Sequence, residues 1–328
     1  MPGSFGTSAQ FSRELLDASL VQGMEFARPH LSQLITTVGM GDNEGNSAKY
    51  IVLGNESGPR ELFGSPIEAP SRIGTYAFSI RPSEYGDRLI LTDQELADAN
   101  LPEWLAKAQA MGAKVPYWLE NTVVANIMES STAIDGFDGQ PLYSDTHTWA
   151  TSDQTPGDPA PTLTSAQDNI IAPARGSYTN SADVMTDFED AVAQMNGFRD
   201  DKGSYIHSGD GQYFIVYNNR TSALDHWLQI TFNPEARAGD DTARAGWRFR
   251  VTLLPTPHLT ATGGSTDFDW YLFKLIPGQK PPLVVQERQG IKSETFRDPL
   301  TRINHYQYTI RYGFGWTNWW QTVKVDNA

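Results

Sequence analysis

The stretch Tyr306-Gln-Tyr-Thr-Ile-Arg-Tyr-Gly-Phe-Gly-Trp316 decides the fold of this 328-residue chain. Large apolar side chains occupy every second position from 306 to 316, with small or polar residues between them. A period of two places six large side chains on one face of an extended strand. Two further strands, each bounded by Pro or Gly turns, are predicted upstream over Phe268–Lys274 and Pro282–Glu287. The chain is therefore expected to end in a broad aromatic sheet without a catalytic motif, which favours association over chemistry.

The composition is that of a folded globular protein. The apolar fraction is 39% and the aromatic fraction 11%, and the length allows one to three domains. The absence of cysteine excludes a disulfide framework, a thiolate metal site and a cysteine nucleophile. Neither a signal peptide nor a membrane span is expected, because no basic region precedes an apolar run and no apolar run approaches about 18 residues.

The net charge of −14 is unevenly distributed. Residues 131–201 contain twelve acidic residues and only two basic ones, Arg175 and Arg199, a local balance of −10. Residues 282–328 contain six basic and four acidic residues, a balance of +2. Because phosphate contacts need clustered Lys and Arg, such a protein is expected to enclose nucleic acid rather than grip it. The acidic segment by itself is most simply a solvated surface that maintains solubility.

The N-terminal residues 10–38 have a helical pattern that Pro29 interrupts. A Gly/Asn-rich loop follows from Gly39. A helix before a flexible joint, with no core of its own nearby, is predicted to behave as an arm. Its apolar positions before the proline are Phe11, Leu15, Leu16, Leu20 and Met24.

Extended structure is predicted over the next segment. Tyr50–Leu53, Tyr76–Ile80 and Leu89–Leu91 are strand candidates, and residues 54–66 are too rich in Gly and Pro to be regular. This pattern indicates a long two-stranded hairpin with an irregular tip. Such hairpins are marginal alone and usually need a partner surface.

The longest helix is predicted to begin at Asn100, which forms a capping-box pattern with Glu103. It would span about 28 residues, roughly 42 Å, with a kink expected at Pro116. That length indicates a strut across the molecule. The apolar stripe is Trp104, Ala108, Met111, Val115, Trp118, Leu119, Val123 and Ile127.

Residues 131–180 are expected to be dominated by loops, and the Pro/Thr-rich stretch Thr151–Pro173 to be exposed. Regular structure is predicted to return after this region. The expected elements are a helix over Ala182–Phe198 with Val184, Phe188, Val192 and Met195 inward, a strand over Tyr213–Tyr217, a short helix over Thr221–Gln229 and a strand over Trp247–Leu254.

Few residues have a pattern that indicates catalysis or metal binding. Asp145-x-His147 has the spacing of two metal ligands, but with His207 as the nearest other histidine, a turn-capping Asp and a structural His are the favoured interpretation. The adjacent Glu189 and Asp190 point to different helix faces, which disfavours a hydrolase. No nucleophile-elbow, phosphate-binding or zinc-protease motif is present. No catalytic, cofactor or metal site is therefore predicted.

The C-terminal aromatic residues allow two interpretations. They could form a sugar-stacking platform, or they could be buried as core and subunit contact. Aromatic stripes at strand period are usually buried, so burial is favoured. The platform of a soluble glycan-binding β-module would consist of Tyr306, Tyr308, Tyr312, Trp316, Trp319 and Trp320.

Taken in order, the predicted elements form an α+β chain that resembles the major capsid proteins of tailed phages, of the Hong Kong 97-like fold. The chain is most similar to the Mu-like prophage major head subunit family over residues 10–325, with Thr151–Pro173 as an insertion. The stretches that carry the resemblance are Gly74–Ile80 with Leu89–Leu96 and Met111–Leu119, then Asp138–His147, and finally Trp270–Phe273, Pro282–Arg288 and Tyr312–Trp316.

The resemblance implies five regions along the chain. They are an N-terminal arm over residues 1–48, an extended loop hairpin over 49–95, the spine helix of a peripheral domain over 96–132, an axial domain over 133–267, and the closing sheet of the peripheral domain over 268–328.

The resemblance also implies a structural function without enzymatic activity or cofactor. Copies would self-assemble as hexamers and pentamers into an icosahedral shell around double-stranded DNA. The protein would be located in the virion capsid after assembly in the host cytoplasm. Scaffold, portal and decoration proteins are possible partners. A nanocompartment shell of the same fold is the alternative within this resemblance.

Subunit contacts are expected at the hairpin and the arm. Some relatives of this fold crosslink Lys to Asn between subunits. Lys49, near the hairpin, and Asn304 or Asn318, in the closing sheet, are the candidates by their place in the chain. No crosslink is expected here. The charged residues expected to pair between subunits are Arg60, Glu61, Glu68, Arg72 and Arg81.

Overall fold

The structure is a computed structural model. It describes residues 5–27, 29–39, 48–53, 75–92, 101–130, 134, 136–149, 163–173, 177–206, 211–232, 251–259, 268–298, 300–301 and 303–327.

A four-stranded sheet forms around the alternating stretch Tyr306–Trp316. Its strands are β1 (Ile35–Gly39), β4 (Ser83–Thr92), β9 (Leu283–Arg297) and β10 (Ile303–Trp316), in the order β1-β9-β10-β4. β10 is antiparallel to both of its neighbours, and β1 is parallel to β9. Every second residue of β10 from 306 to 316 is buried, so the predicted alternation is confirmed.

Two helices lie against the buried face of this sheet. They are α1 (Phe5–Phe26) and α2 (Leu101–Val123), and α2 continues into a π-helical turn, Val124–Met128. The predicted long helix is thereby confirmed over residues 101–128, while Asn100 lies outside the described residues. Trp118 packs on Phe314 and Tyr85, with ring centroids 6.0 Å and 4.6 Å away, and thus joins α2 to the sheet.

Helix α1 packs tightly along α2. A Cβ on Gly23 would lie 2.0 Å from the carbonyl oxygen of Gln109, and one on Gly112 would lie 1.9 Å from that of Leu20. Only glycine allows the two backbones to approach this closely. The prediction that this helix has no core nearby is therefore wrong, since Leu16 and Leu20 are buried.

The helical pattern predicted up to residue 38 is also wrong at its end. Ile35–Gly39 is a strand, paired with Leu283–Glu287 of β9. The β-branched run of Ile, Thr, Thr and Val disfavours helix and suits a pleated edge.

The predicted hairpin is confirmed at its base. β2 (Ala48–Leu53) and β3 (Thr75–Ile80) pair antiparallel, with Ala48 opposite Ile80. In the described part of the chain, they pair with neither larger sheet. The irregular tip predicted between them lies outside the described residues.

A five-stranded sheet forms the second half of the molecule. Its strands are β5 (Ile170–Ile171), β6 (Gln212–Asn218), β7 (Val251–Thr256), β8 (Trp270–Leu275) and β11 (Thr322–Val325), in the order β5-β11-β8-β6-β7. Helices α3 (Ser181–Gly197) and α4 (Ser222–Phe232) contact this sheet and each other. The two predicted helices, the inward residues of the first and the strand over 213–217 are confirmed. Of the strand predicted over Trp247–Leu254, the structure describes residues 251–254, and these are part of β7.

The expectation of one closing sheet is wrong. β8 lies between β11 and β6 in the five-stranded sheet, whereas β9 and β10 belong to the four-stranded sheet. Trp270–Phe273 of β8 are buried in succession, as in a strand covered on both faces. Because Leu283–Gln286 of β9 are buried in the same way, the sheet to which each strand belongs is set by its pairing and not by its own burial pattern.

Part of the expected insertion belongs to this second sheet. Ile170 and Ile171 pair in parallel with Lys324 and Val325. Among the described residues, no helix is long and apolar enough to cross a membrane.

An aromatic cluster links the β2–β3 hairpin to the turn Trp319–Gln321, which precedes β11. Trp149 packs against Tyr76, Phe137 and Trp320, with ring centroids 5.2 to 5.3 Å apart. The buried side chains of both sheets thus form one continuous core.

Candidate assembly interface

The structure separates the predicted pair Asp145-x-His147. Asp145 is exposed, while His147 is fully buried and bonded at both ring nitrogens. Its Nδ1 lies 2.6 Å from Asp138 Oδ2 and its Nε2 lies 3.1 Å from the carbonyl oxygen of Leu142. The ring stacks parallel on Trp319 with centroids 4.4 Å apart. Within the described ranges, no group of three or more potential ligands could hold a metal.

The hydrogen bonds of the His147–Asp138 pair are made within one loop. Both ring nitrogens of His147 have an oxygen partner there, Asp138 Oδ2 and the carbonyl oxygen of Leu142. Because both side chains are fully buried, the pair stabilises the loop that contains it and is not accessible to a ligand. The contact between Asp138 and His147 could not be predicted from the sequence, because the two residues lie nine positions apart in a loop without a regular period.

The glycan-platform interpretation is wrong, because its rings are buried. Each of the six aromatic residues is less than a tenth exposed, and several contact each other or neighbouring core rings. A sugar needs an accessible ring face, and these faces are occupied by protein. The favoured interpretation, burial, is confirmed for Tyr306, Tyr308, Tyr312, Trp316, Trp319 and Trp320.

A buried carboxylate links the N-terminal segment to the five-stranded sheet. Glu120 of α2 is 1% exposed. Its Oε2 accepts hydrogen bonds from the backbone N–H groups of His30, at 2.6 Å, and Leu31, at 3.3 Å. Its Oε1 accepts one from Thr256 Oγ1 at the end of β7, at 3.1 Å. This link was missed because a glutamate on a helix ordinarily indicates an exposed position.

The base of the hairpin is held in a notch made by two glycines. A Cβ on Gly315 would come within 2.3 Å of Ile80 Cδ1, and one on Gly313 within 2.7 Å of Ile80 Cγ2. Tyr76, on the same strand, is buried against Phe137. The β2–β3 hairpin therefore leaves the body of the molecule from a fixed position.

The residues predicted for subunit contacts are only partly described. Arg81 is exposed in the short turn between β3 and β4. The crosslink candidates lie in different elements: Lys49 is in β2, Asn304 is half-buried in β10, and Asn318 precedes the 3₁₀ turn Trp319–Gln321. The predicted charged residues outside the described ranges are Arg60, Glu61, Glu68 and Arg72.

An exposed apolar patch lies at the far end of the β9–β10 hairpin. Leu300 in the connecting turn is 92% exposed, and Phe296 and Ile90 are nearly half exposed on either side of His305. Asp298 orders the turn, because its carboxylate accepts hydrogen bonds from Thr301 Oγ1 at 2.6 Å and the N–H of Leu300 at 2.9 Å. These bonds, the Thr301 bond first, lower the pKa of Asp298 below its ordinary value.

The arrangement of two sheets, a long helix and a separate hairpin is shared with shell-forming proteins of known structure. The capsid of cyanophage P-SCSP1u is similar at a TM-score of 0.58 and 13% identity, over 92% of this chain and 89% of that chain. The capsid of Ralstonia phage GP4 gives 0.57 and 11%, over 92% and 90%. A virus-like particle from Pyrococcus furiosus gives 0.53 and 14%, over 95% and 98%. The fold is thus the Hong Kong 97-like capsid fold.

The family follows from the sequence comparison. A family model described as phage capsid protein matches residues 75–325, so the chain belongs to the phage capsid protein family. No curated protein matches the chain. Family membership assigns a structural role in the capsid of a virion.

Proposed function

We propose that this chain is a major capsid protein whose copies assemble as hexamers and pentamers into a closed icosahedral shell around double-stranded DNA. The observation that carries the proposal is the β2–β3 hairpin, which joins neither sheet of its own chain in the described part of the structure. A two-stranded ribbon is marginal by itself and becomes stable when a partner surface covers it. In a shell, that surface belongs to a neighbouring copy.

The exposed end of the β9–β10 hairpin supports the same proposal. Leu300, Phe296 and Ile90 expose apolar area on an ordered element, which association would remove from water. The charged residues Arg60, Glu61, Glu68, Arg72 and Arg81 are proposed to pair across the contact that covers the β2–β3 hairpin.

Further details of the assembly are proposals from the resemblance. The nearest relatives would be the Mu-like major head subunits, assembly would take place in the host cytoplasm, and scaffold, portal and decoration proteins would be partners. The five regions with boundaries at residues 48, 95, 132 and 267 are the proposed division, except that β8 and β11 belong to the five-stranded sheet of the fourth region. No crosslink is proposed between Lys49 and Asn304 or Asn318.

The charge of the chain decides how the DNA would be held. A net charge of −14 opposes direct contact with phosphates, so the shell would enclose DNA without sequence-specific binding. A nanocompartment shell of the same fold would instead enclose a protein cargo.

The test is assembly followed by analysis of the contents. The chain would be expressed alone and with its neighbouring gene products, separated by gel filtration, and imaged by negative-stain electron microscopy. Closed particles, or rings of five and six copies, are the expected result. Particles from the native producer that protect DNA from nuclease would support the phage capsid, whereas particles filled with a single protein would contradict it in favour of the nanocompartment.

A further inference from the structure

The loop after α3 holds an arginine and a tyrosine as a fixed, exposed pair. The guanidinium of Arg199 lies 4.3 Å from the centre of the Tyr205 ring. Its Nη2 donates to Tyr205 Oη at 2.8 Å, and its Nη1 donates to the carbonyl oxygen of Gly203 at 3.1 Å. Arg199 is exposed and Tyr205 is 56% exposed, so both groups remain accessible.

The backbone beneath this pair is also fixed. Trp149 Nε1 and Gln167 Nε2 both donate to the carbonyl oxygen of Arg199, at 2.9 Å and 3.0 Å, and the N–H of Arg199 donates to Gln167 Oε1 at 2.7 Å. Arg199 and Tyr205 form an isolated antiparallel bridge. A side chain held in place before binding loses little entropy when a partner arrives. Arg and Tyr are also enriched among the residues that dominate interface energetics.

Arg199 is electrostatically isolated in its part of the chain. Residues 131–201 contain only one other basic residue against twelve acidic ones. The adjacent Lys202 does not add an accessible cation, because its side chain is 16% exposed and lies 3.8 Å from the buried carboxylate of Asp201. Among the described residues of this segment, Arg199 is the cation placed to attract a carboxylate of a second copy.

Within the described part of residues 131–201, two neighbouring carboxylates are candidates to meet Arg199 of another copy. Glu189 and Asp190 are exposed on α3, opposite the face that packs on the sheet, and no hydrogen bond or ion pair engages them within the described part of the chain. Asp145 is also exposed, but it stands alone on a loop. The other described carboxylates of the segment bond within the chain: Asp138, Asp168, Asp183, Asp187, Asp200 and Asp201.

We propose that Arg199 and Tyr205 of one copy bind Glu189 and Asp190 of the next copy in a ring. The two patches lie on one segment of the chain, and Arg199 is directed to its own loop rather than to α3. Repeated around a rotational axis, a contact between these two different patches closes into a ring. The inference rests on the proposed function, because it needs copies arranged around an axis.

The experiment is a charge reversal with rescue. Three variants would be compared with the wild type at low and high salt by gel filtration and electron microscopy. They are Arg199→Glu, the triple variant Arg199→Glu with Glu189→Arg and Asp190→Arg, and Arg220→Glu as a matched control. Arg220 is exposed in the turn before α4, so its reversal changes the net charge equally. Circular dichroism and thermal unfolding would verify that each variant folds.

The expected result is a loss of rings and shells in Arg199→Glu by about tenfold or more, with normal assembly of the control and recovery in the triple variant. Normal assembly of Arg199→Glu beside an assembling wild type would overturn the inference and leave the proposed function intact. Failure of the triple variant to recover would overturn the assignment to Glu189 and Asp190. A wild-type chain that never assembles would overturn the proposed function, and the inference with it.

Discussion

The side chain of Ile80 lies over the backbone of Gly315, so that a Cβ on this glycine would come within 2.3 Å of Ile80 Cδ1. The relationship links the end of the β2–β3 hairpin to the strand at the centre of the four-stranded sheet. This close contact explains why glycines, and not larger residues, stand between the aromatic residues at positions 313 and 315. The notch fixes where the hairpin leaves the molecule.

Gly315→Ala is expected to destabilise the protein by about 1–3 kcal/mol, because the added methyl group overlaps Ile80. Urea unfolding would measure the change. Ile80→Val in the same background should recover part of the loss, since it removes the Cδ1 atom that the new Cβ meets. Gly197→Ala is the matched control, because nothing lies within 4 Å of a Cβ there. Equal effects of the two glycine substitutions would refute the notch.

Gly112→Ala is expected to separate α1 from α2. The new Cβ would overlap the carbonyl oxygen of Leu20, and a backbone atom cannot move aside as a side chain can. Hydrogen exchange should become faster across residues 5–26 while the five-stranded sheet keeps its protection. If α1 exchanges its amide hydrogens as slowly in Gly112→Ala as in the control Gly197→Ala, the close packing of the two helices is not what stabilises α1.

His147→Leu is expected to cost about 3–5 kcal/mol, because it leaves the Asp138 carboxylate buried without its partner. Adding Asp138→Asn should recover part of this loss. The amide carries no charge, and its oxygen can still accept the bond that Oδ1 receives from the N–H of Gln140. Thermal and urea unfolding would measure both variants. A double variant no more stable than His147→Leu would mean that the buried charge is not the cause.

Stability is expected to fall as the pH rises above about 10, because several buried tyrosines must stay protonated in the folded state. Burial raises the pKa of Tyr143 above its usual range, opposed by its hydrogen bond with Thr322. Burial, assisted by the charge of Glu287, raises the pKa of Tyr312 to about 12. In the unfolded chain these groups ionise near pH 10, so the folded state binds more protons above that pH.

Each such tyrosine should lower the free energy of unfolding by about 1.4 kcal/mol per pH unit above pH 10, up to its folded pKa. Urea unfolding between pH 8 and 11.5 would measure the slope. Tyr143→Phe should make the fall of the unfolding free energy with pH shallower by the contribution of one tyrosine, because phenylalanine does not titrate. An identical slope in the variant would contradict the assignment of Tyr143 as one of these groups.

The elements that the sequence predicts well are those with a local period. The alternation from Tyr306 to Trp316 and the stripe from Trp104 to Ile127 each indicate one buried face. Burial follows both patterns, except that Trp118 and Leu119 of the stripe are only partly buried. The hairpin strands before and after its tip were predicted for the same reason. In these places, each side chain's environment depends on its neighbours in the sequence.

The misses depend on contacts between distant residues. Glu120 is buried because it meets backbone N–H groups ninety residues earlier and Thr256 far downstream. His147 is bonded to Asp138 through the folding of a loop that has no period. The exchange of β8 into the second sheet is set by strand order, which a strand's own pattern does not record. Family resemblance gave the fold in advance, and local pattern gave its elements.

Cryo-electron microscopy of purified particles would show whether copies of this chain form a closed shell. We expect an icosahedral shell in which the β2–β3 hairpin of each copy lies on a neighbouring copy. A chain that remains a 36.4 kDa monomer when concentrated, and also when expressed with its neighbouring gene products, would contradict it.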